Sequence, residues 1–558
     1  MRYFAASIIY CISSLAQAPE AKPDDKCSVE GTVINSATGE PVKKARVTLA
    51  PVGPPVDLYA TTTDSTGHFL IDEVDAGRYS LTASRVGYTK PTSTHGRRNS
   101  NAALTLEKGQ EIKEVVLKLA PDGVIAGRVL DADGDPVAEV AIQCMRVGYE
   151  NGKHNLADHI GTNTNDLGEF RLPGLMAGKY IVSANFSNQN MYAGMQKRPA
   201  QKSGQGQATE EAYVTTYYPH TMNPSSASPI EVSPGAQING INLTLMRART
   251  VHIKGVVSAE IKLPTGIPWV SLHPLDEIQS GKPQVGGTVG PGGDFLLGGV
   301  VPGSYVLLAG CMVFRDRKYY TARIPVEIHD SNIEGMAITL RPPREFRGQV
   351  IIEDKGDLRG ATLDAWLQPK DGTFFMGGGS TQVKEDLTFK IDNVGMALYD
   401  FGLRGYPDSF YLKSMRMGDQ DVTATGLDFT QEAEAAELTV VLSPNAGVVE
   451  GSVQNTKDEA APGAKVTLIP DAKHRLSTLR YKTADTDQNG HFVIKGVAPG
   501  EYKIFAWEDI EEGASEDPEF MKPHESDGQT VSIKERGYET VQLKTIPAES
   551  AVKEKPAG

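Results

Sequence analysis

The stretch DQNGHFVIKGVAPGEY, residues 487–502, decides the fold of this chain because its outline recurs along the sequence. A tight turn ending in Gly490 leads into an apolar strand at Phe492, and a second turn leads into another strand at Tyr502. Glycine adopts a positive φ without steric cost, which is typical of a turn between two strands. The stretch therefore predicts a β-hairpin of set length.

A Tyr follows ten residues after a Phe at five places in the sequence. These pairs are Phe69 and Tyr79, Phe170 and Tyr180, Phe295 and Tyr305, Phe389 and Tyr399, and Phe492 and Tyr502. Each Phe lies 38 to 43 residues after the Gly of a Gly-x-Val triplet, at Gly31, Gly127, Gly255, Gly348 and Gly451. Each unit then ends in an alternating apolar strand, such as residues 438–442. The sequence is a tandem array.

Within each unit the apolar residues alternate with small or polar ones, as in Ala45-Arg46-Val47-Thr48-Leu49. Turn signals recur roughly every 8–12 residues, and no segment carries a sustained helical stripe. This pattern predicts an all-β fold, a tandem array of about five Greek-key β-sandwich domains of immunoglobulin-like type after a signal peptide. The repeated Phe and Tyr rings are expected in the sandwich cores.

The repeats also predict the domain boundaries. We expect a signal peptide at residues 1–16 and a linker at residues 17–26. Five sandwiches follow at residues 27–120, 121–248, 249–343, 344–444 and 445–546, and a disordered tail at residues 547–558.

The N-terminus has the pattern of an export signal. A positive start precedes an apolar run over residues 3–12, and small residues allow cleavage after Ala16. No later stretch approaches 18 consecutive apolar residues, so the mature chain is expected to have no transmembrane segment. We therefore expect an exported protein that is periplasmic, on the outer surface or secreted.

Charge and motifs exclude several classes of protein. Lys and Arg total 56 against 70 Asp and Glu in 558 residues, a net charge of −14, so no nucleic-acid partner is expected. The sequence has no metallopeptidase His spacing, no Gly-x-Ser-x-Gly elbow and no phosphate-binding loop. We expect no enzyme, and no catalytic, cofactor-binding or metal-binding residues.

One acidic turn is a candidate for a weak surface calcium site. Asp485, Asp487 and Asn489, followed by Gly490, fit the start of a calcium loop, but Gly496 stands where the bidentate Glu belongs. A solvated Asp-Gly turn is the preferred interpretation.

Four aromatic residues are candidates for ligand binding. The second unit has a long loop over residues 191–228 that carries Tyr213, Tyr217 and Tyr218, and strand alternation turns Trp269 away from its own core. Such rings stack on sugar faces or grip a protein partner when they are exposed. The alternative is that they pack on their own sandwich or on a neighbour.

The motifs Gly-x-Val, Gly-x-Pro-Val-x-x-Ala-x-Val, Thr-Asp-x-x-Gly-x-Phe and Val-x-x-Gly-x-Tyr are clearest at residues 31–88, 127–184 and 451–506. In this pattern the chain resembles the carboxypeptidase regulatory-like domain, a transthyretin-like sandwich grouped with carbohydrate-binding-like folds. The third and fourth units depart from the pattern, at residues 291–294 and 384–387. The resemblance implies an accessory, non-catalytic module of exported bacterial proteins, without one ligand.

The sequence thus predicts a non-catalytic exported protein that acts in adhesion, scaffolding or cell-envelope interaction, with a polysaccharide or an envelope protein as partner. One alternative is a carbohydrate-binding protein that uses the exposed aromatic residues. Another is an accessory or regulatory subunit of an exported peptidase or transporter.

Overall fold

The structure of the protein is a computed structural model that describes residues 26–51, 58–88, 102–150, 152–186, 210–259, 266–275, 285–313, 318–358, 360–370, 377–430, 437–475 and 478–547. The predicted signal peptide lies outside these residues, as do the linker up to residue 25 and the tail from residue 548. The chain divides into two compact units, one of Met1–Arg85 with Lys90–Leu119 and the other of Val86–Thr89 with Ala120–Gly558. In the described ranges no helix is long and apolar enough to cross a membrane.

In the described residues, forty strands build five sandwiches. Sandwich 1 contains β1 (Cys27–Asn35), β2 (Arg46–Pro51), β3 (Tyr59–Thr62), β4 (His68–Val74), β5 (Gly77–Ser84), β6 (Ala102–Leu106) and β7 (Glu111–Leu119). Sandwich 2 follows with β8 (Gly123–Leu130), β9 (Ala141–Glu150), β10 (Lys153–Asn163), β11 (Glu169–Leu175), β12 (Gly178–Asn185), β13 (Glu210–Tyr213), β14 (Thr216–Tyr217), β15 (Ile230–Val232), β16 (Gln237–Ile238) and β17 (Leu243–Thr244).

Sandwich 3 contains β18 (Arg247–Ala259), β19 (Gly266–Pro274), β20 (Val285–Thr288), β21 (Asp294–Val300), β22 (Gly303–Val313), β23 (Lys318–Ile328) and β24 (Ile333–Leu340). Sandwich 4 contains β25 (Arg344–Ile352), β26 (Asp364–Pro369), β27 (Gly379–Gln382), β28 (Thr388–Val394), β29 (Leu398–Arg404), β30 (Tyr411–Met417), β31 (Gln420–Asp421), β32 (Leu427–Asp428) and β33 (Leu438–Ser443).

Sandwich 5 contains β34 (Gly447–Gln454), β35 (Lys465–Pro470), β36 (Lys482–Asp485), β37 (His491–Val497), β38 (Gly500–Trp507), β39 (Gln529–Ile533) and β40 (Tyr538–Ile546). The helical segments are short: α1 (Pro518–Met521) and 3₁₀ turns at Pro224–Ser226, Glu353–Lys355, Thr478–Arg480, Ala514–Glu516 and Lys522–His524.

The same strand pairing recurs in all five sandwiches. The first strand, which carries the Gly-x-Val triplet, pairs antiparallel with the strand of the repeated Phe and parallel with the closing strand. In chain order these first strands are β1 between β4 and β7, β8 between β11 and β17, β18 between β21 and β24, β25 between β28 and β33, and β34 between β37 and β40. The predicted fold class, a tandem all-β array, is confirmed.

The second sheet of each sandwich contains the strand of the repeated Tyr. The sheets have the orders β3-β2-β5-β6, β10-β9-β12-β14, β20-β19-β22-β23 and β27-β26-β29-β32 in sandwiches 1 to 4. In sandwich 5 the order β36-β35-β38-β40-β34-β37 joins the two halves into one sheet, because β40 pairs with both β34 and β38.

The Gly of each Gly-x-Val triplet stands directly opposite the repeated Phe, as Gly31 does opposite Phe69. A Cβ on Gly31 would lie 2.1 Å from the carbonyl oxygen of Val115 on the parallel strand. In sandwiches 2 to 5 the corresponding Cβ would lie 1.8, 2.1, 2.6 and 2.0 Å from a carbonyl oxygen on the closing strand or, in sandwich 2, just before it, namely those of Ile241, Met336, Leu438 and Val541. Because a side chain does not fit there, the triplet requires glycine at this position.

The repeated aromatic rings fill the cores, as the sequence predicts. All five Phe rings are 1–4% exposed and all five Tyr rings are 0–5% exposed. Each Tyr hydroxyl donates a hydrogen bond to the carbonyl oxygen four residues before it, for example 2.8 Å from Tyr502 to Ala498. This bond satisfies the polar end of a ring that is otherwise surrounded by apolar side chains.

The turn before each repeated Phe requires a residue with positive φ two positions before that Phe. Glycine supplies it in four sandwiches, with φ between 70° and 86°. In sandwich 4, where the sequence departs from the family pattern, Leu387 adopts φ 62° instead. The fold therefore holds this turn even without the residue that favours it.

One strand crosses the boundary that the sequence places at 248/249. β18 begins at Arg247, and Arg247–Thr250 pairs antiparallel with β13. β13 comes from the long loop over residues 191–228, so this loop contributes a strand to the sheet of sandwich 3.

Candidate functional site

Tyr213 lies at the junction of sandwiches 2 and 3, where β13 pairs with β18. Its ring meets Phe186 edge-on, with 5.6 Å between the ring centroids. The Arg247 guanidinium lies 4.7 Å from the Tyr213 ring centroid and donates a 2.9 Å hydrogen bond to its hydroxyl. The ring is half-buried and engaged on several sides by this chain's own residues.

Tyr217 and Tyr218 are half-buried on sandwich 2. Tyr217 belongs to β14 and pairs with Ser183 of β12, and Tyr218 packs against the core of sandwich 2. A cis peptide bond joins Tyr218 to Pro219.

Trp269 points away from the core of its own sandwich, as its alternation predicts, but it does not face solvent freely. It stands opposite Gly310 on β22, and its ring covers that glycine so closely that a Cβ there would lie 2.6 Å from the ring. With Val306 and Leu308, each 2% exposed, it packs against the core of sandwich 4. This face of sandwich 3 is therefore a junction with its neighbour.

The same face carries a buried polar pair. Ser271 and His273 follow Trp269 on β19 at alternate positions and are 8% and 4% exposed. The Ser271 hydroxyl lies 3.0 Å from the His273 Nε2. No sequence motif signals this pair, because His273 looks like one polar residue in an alternating strand.

The four aromatic candidates thus belong to two places rather than one. The three Tyr side chains lie on sandwich 2 and at its border with sandwich 3, whereas Trp269 lies between sandwiches 3 and 4. Their packing favours the second of the two interpretations left open by the sequence. Sugar stacking at these residues stays a prediction.

The acidic turn of sandwich 5 uses its carboxylates for its own structure. Asp487 accepts hydrogen bonds from the backbone amides of Asn489 and His491, both at 2.9 Å. Asp485 forms a 2.9 Å ion pair with Lys465. Over the residues that the structure describes, no group of three His, Cys, Asp or Glu side chains could hold a metal ion. Calcium binding at Asp485, Asp487 and Asn489 stays a prediction, and the solvated turn accounts for the geometry.

The described cysteines lie in three different sandwiches. Cys27, Cys144 and Cys311 are buried and unpaired. Burial raises the pKa of the Cys144 thiol to about 12, so this thiol is protonated at neutral pH and is a poor nucleophile.

Sandwiches 4 and 5 meet through a small apolar cluster of Tyr411, Ala446 and Ala498. Beside it, Asn445 donates to Asp354 at 3.0 Å and accepts from the Arg536 Nε at 2.9 Å. One amide side chain therefore links the two sandwiches across the linker that joins them.

Five sandwiches with one pairing scheme and the same buried Phe and Tyr define a tandem array of all-β modules. Residues 28–117, which form sandwich 1, match the carboxypeptidase regulatory-like domain, so the resemblance seen in the sequence is confirmed over these residues. A comparison with curated proteins finds no match.

Among solved structures, the chain is similar to the TIE protein of Bacillus anthracis, with 10% identity and a TM-score of 0.16 over 91% of this chain and 76% of that one. It is also similar to a minor pilin of Streptococcus agalactiae, with 13% identity and a TM-score of 0.22 over 43% of this chain and 99% of that one. Two B repeat units of the collagen-binding protein of Staphylococcus aureus match with 10% identity and a TM-score of 0.15, over 71% of this chain and 94% of theirs. TM-scores this low do not establish a common arrangement of domains.

Proposed function

We propose that the chain is an exported, non-catalytic scaffold or adhesive protein of the cell envelope. The observation that carries this proposal is the use of its aromatic side chains. Tyr213 and Trp269, which a sugar-binding surface would expose, pack instead at the junctions between sandwiches.

Three kinds of contact join successive sandwiches in residues 120–547. Strand β13 extends a sheet of sandwich 3, an apolar face joins sandwiches 3 and 4, and Asn445 with its neighbours joins sandwiches 4 and 5. Backbone pairing and buried apolar contacts restrict bending more than a flexible linker does. Fixed junctions suit a protein that holds other components at set distances.

The polar side chains of the described residues support the non-catalytic part of this proposal. The repeated polar groups satisfy structural hydrogen bonds: the hydroxyls of Thr63, Thr164 and Thr486, for example, each donate to one backbone carbonyl and accept from one backbone amide. The buried Cys144 thiol has a raised pKa, the opposite of what an activated nucleophile needs.

Export is tested by expressing the full chain in a bacterial host and measuring the mature N-terminus by mass spectrometry. We expect a chain that starts at Gln17, recovered outside the cytoplasm. Ala16→Phe is the matched control, because Ala16 is the last residue before this cleavage site and the third from the end before the alternative site after Ala18. An unprocessed wild-type chain retained in the cytoplasm would contradict the proposal.

The envelope role is tested by incubating the mature protein with isolated cell envelopes. Binding that protease treatment of the envelopes abolishes, and periodate oxidation leaves intact, supports a protein partner. Binding that periodate abolishes and that Tyr217→Ala with Tyr218→Ala also removes would favour the carbohydrate-binding alternative. If the mature protein does not bind untreated envelopes, the adhesive role is refuted.

A further inference from the structure

Sandwich 5 carries an insertion, residues 508–528, between β38 and β39, which we call the clasp. It is anchored to its own sandwich by apolar packing. Phe520 lies 5.8 Å from Trp507, ring centroid to ring centroid, and Met521 is 2% exposed in the same cluster.

Charged contacts anchor the end of the clasp. Glu525 accepts a 2.9 Å hydrogen bond from the Lys503 ammonium and pairs with the Arg475 guanidinium at 2.5 Å. Because both anchors lie within sandwich 5, the clasp is held in place by its own sandwich.

The outer side of the clasp contacts the β9–β10 hairpin of sandwich 2. The Arg146 Nη2 lies 3.2 Å from the Glu511 Oε1, and the rings of Tyr149 and Phe520 meet edge-on with centroids 5.9 Å apart. The side chains of Arg146 and Glu511 are only 25% and 33% exposed. The ion pair is therefore partly shielded from water. The attraction between shielded charges is stronger than that of a pair on the open surface.

The two backbones approach closely at two glycines. A Cβ on Gly152 of the hairpin would lie 2.4 Å from the Glu516 carbonyl oxygen of the clasp. A Cβ on Gly513 of the clasp would lie 3.2 Å from the Tyr149 Cβ. Both glycines have positive φ, 70° and 82°. The two surfaces fit each other at the level of the main chain.

We propose that the clasp is a releasable latch that closes sandwiches 2 to 5 into a ring. Sandwich 2 contacts 3, 3 contacts 4 and 4 contacts 5, so a contact between 5 and 2 completes a circuit. Since each surface is held by its own sandwich, the latch opens without unfolding either one. Opening uncovers the Tyr149 and Phe520 rings. This inference goes beyond the proposed function and does not rest on it.

Disulfide trapping in the full mature chain tests the closed state. The Tyr149→Cys/Gly513→Cys pair has nearly the Cβ separation that a disulfide requires. We expect an intrachain disulfide that forms at least about tenfold faster than in Tyr149→Cys/Gly496→Cys. Gly496 is the matched control because it is also left-handed, φ 68°, but faces sandwich 4. Each single-Cys variant controls for reaction with the native thiols. A rate no faster than the control, or disulfides only between chains, would overturn the proposal.

Charge exchange in the same two-cysteine background tests what holds the latch. Glu511→Arg and Arg146→Glu should each slow intrachain trapping roughly three- to tenfold, and the double exchange should restore it. Glu511→Gln, a milder change of similar size, should slow trapping less than Glu511→Arg. If neither single exchange slows disulfide trapping, or if the double exchange does not restore the trapping rate, the ion pair does not hold the latch.

Discussion

Replacing Gly255 by Ala is expected to destabilise sandwich 3, because its strand has no room for a side chain beside the parallel strand β24. A Cβ there would lie 2.1 Å from the Met336 carbonyl oxygen and 2.7 Å from the Cε1 of Phe295. To reach an ordinary contact, backbone and ring must move by roughly 1 Å in a close-packed core.

The cost has two parts. Overpacking of a core costs about 1–3 kcal/mol, and the displacement weakens one or two ladder hydrogen bonds worth about 0.5–1.5 kcal/mol each. We therefore expect the local free energy of unfolding to fall by about 2–5 kcal/mol. Native-state hydrogen exchange of the full chain, followed by mass spectrometry, measures this fall separately in β18, β21 and β24.

Gly298→Ala is the matched control for this experiment. Gly298 lies on β21 of the same sheet, and a Cβ there would meet nothing within 4 Å. Its effect should stay within about 0.5 kcal/mol. If Gly255→Ala cost less than about 1 kcal/mol, or no more than the control, the steric account of the Gly-x-Val triplet would be refuted.

Three further changes test the cores and the candidate surface. Tyr502→Ala should lower the free energy of unfolding by about 3–5 kcal/mol, as truncation of a buried aromatic ring does. Tyr502→Phe should cost only about 1 kcal/mol, for the lost hydroxyl hydrogen bond. If hydrogen exchange in β38 is unchanged in both variants, the ring lies outside the core. Tyr217→Ala with Tyr218→Ala should lower the stability of sandwich 2 by about 1–3 kcal/mol, because both residues are half-buried on that sandwich. If the double variant instead loses glycan binding at unchanged stability, the two rings form a sugar-binding surface. Burial raises the pKa of Tyr79 to about 12, so the folded state keeps this phenol neutral while the unfolded chain ionises it near pH 10. Sandwich 1 should therefore lose stability between about pH 10 and 12, and Tyr79→Phe should flatten that loss in alkaline urea titrations; equal slopes for both proteins would contradict the assignment.

The sequence predicts the sandwich cores because the information is local. Phe492 and Tyr502 belong to one hairpin, and a turn of fixed length sets which side chains share a face. The same reasoning holds in all five units, including sandwich 4, where Leu387 replaces the glycine of the turn. Strand periodicity and turn residues are enough to place these residues.

Contacts between sandwiches depend on information that a local pattern does not contain. Alternation correctly turns Trp269 away from its own core, but it does not indicate that sandwich 4 covers the outer face. Likewise, the length of the 191–228 loop signals an unusual segment without showing that residues 210–213 pair with β18. Such pairings are chosen by tertiary packing between segments whose positions are set elsewhere.

The pairing of β13 with β18 has a consequence for biosynthesis. The chain emerges from the ribosome N-terminus first, so β13 is made before the residues that hydrogen-bond to it and must wait with an unpaired edge. The exposed side chain of Glu211 puts a charge on this unpaired edge, and charged residues on an unpaired edge discourage pairing with another nascent chain. A charge at Glu211 is therefore expected to disfavour wrong pairing of this strand until Arg247–Thr250 is synthesised and pairs with it.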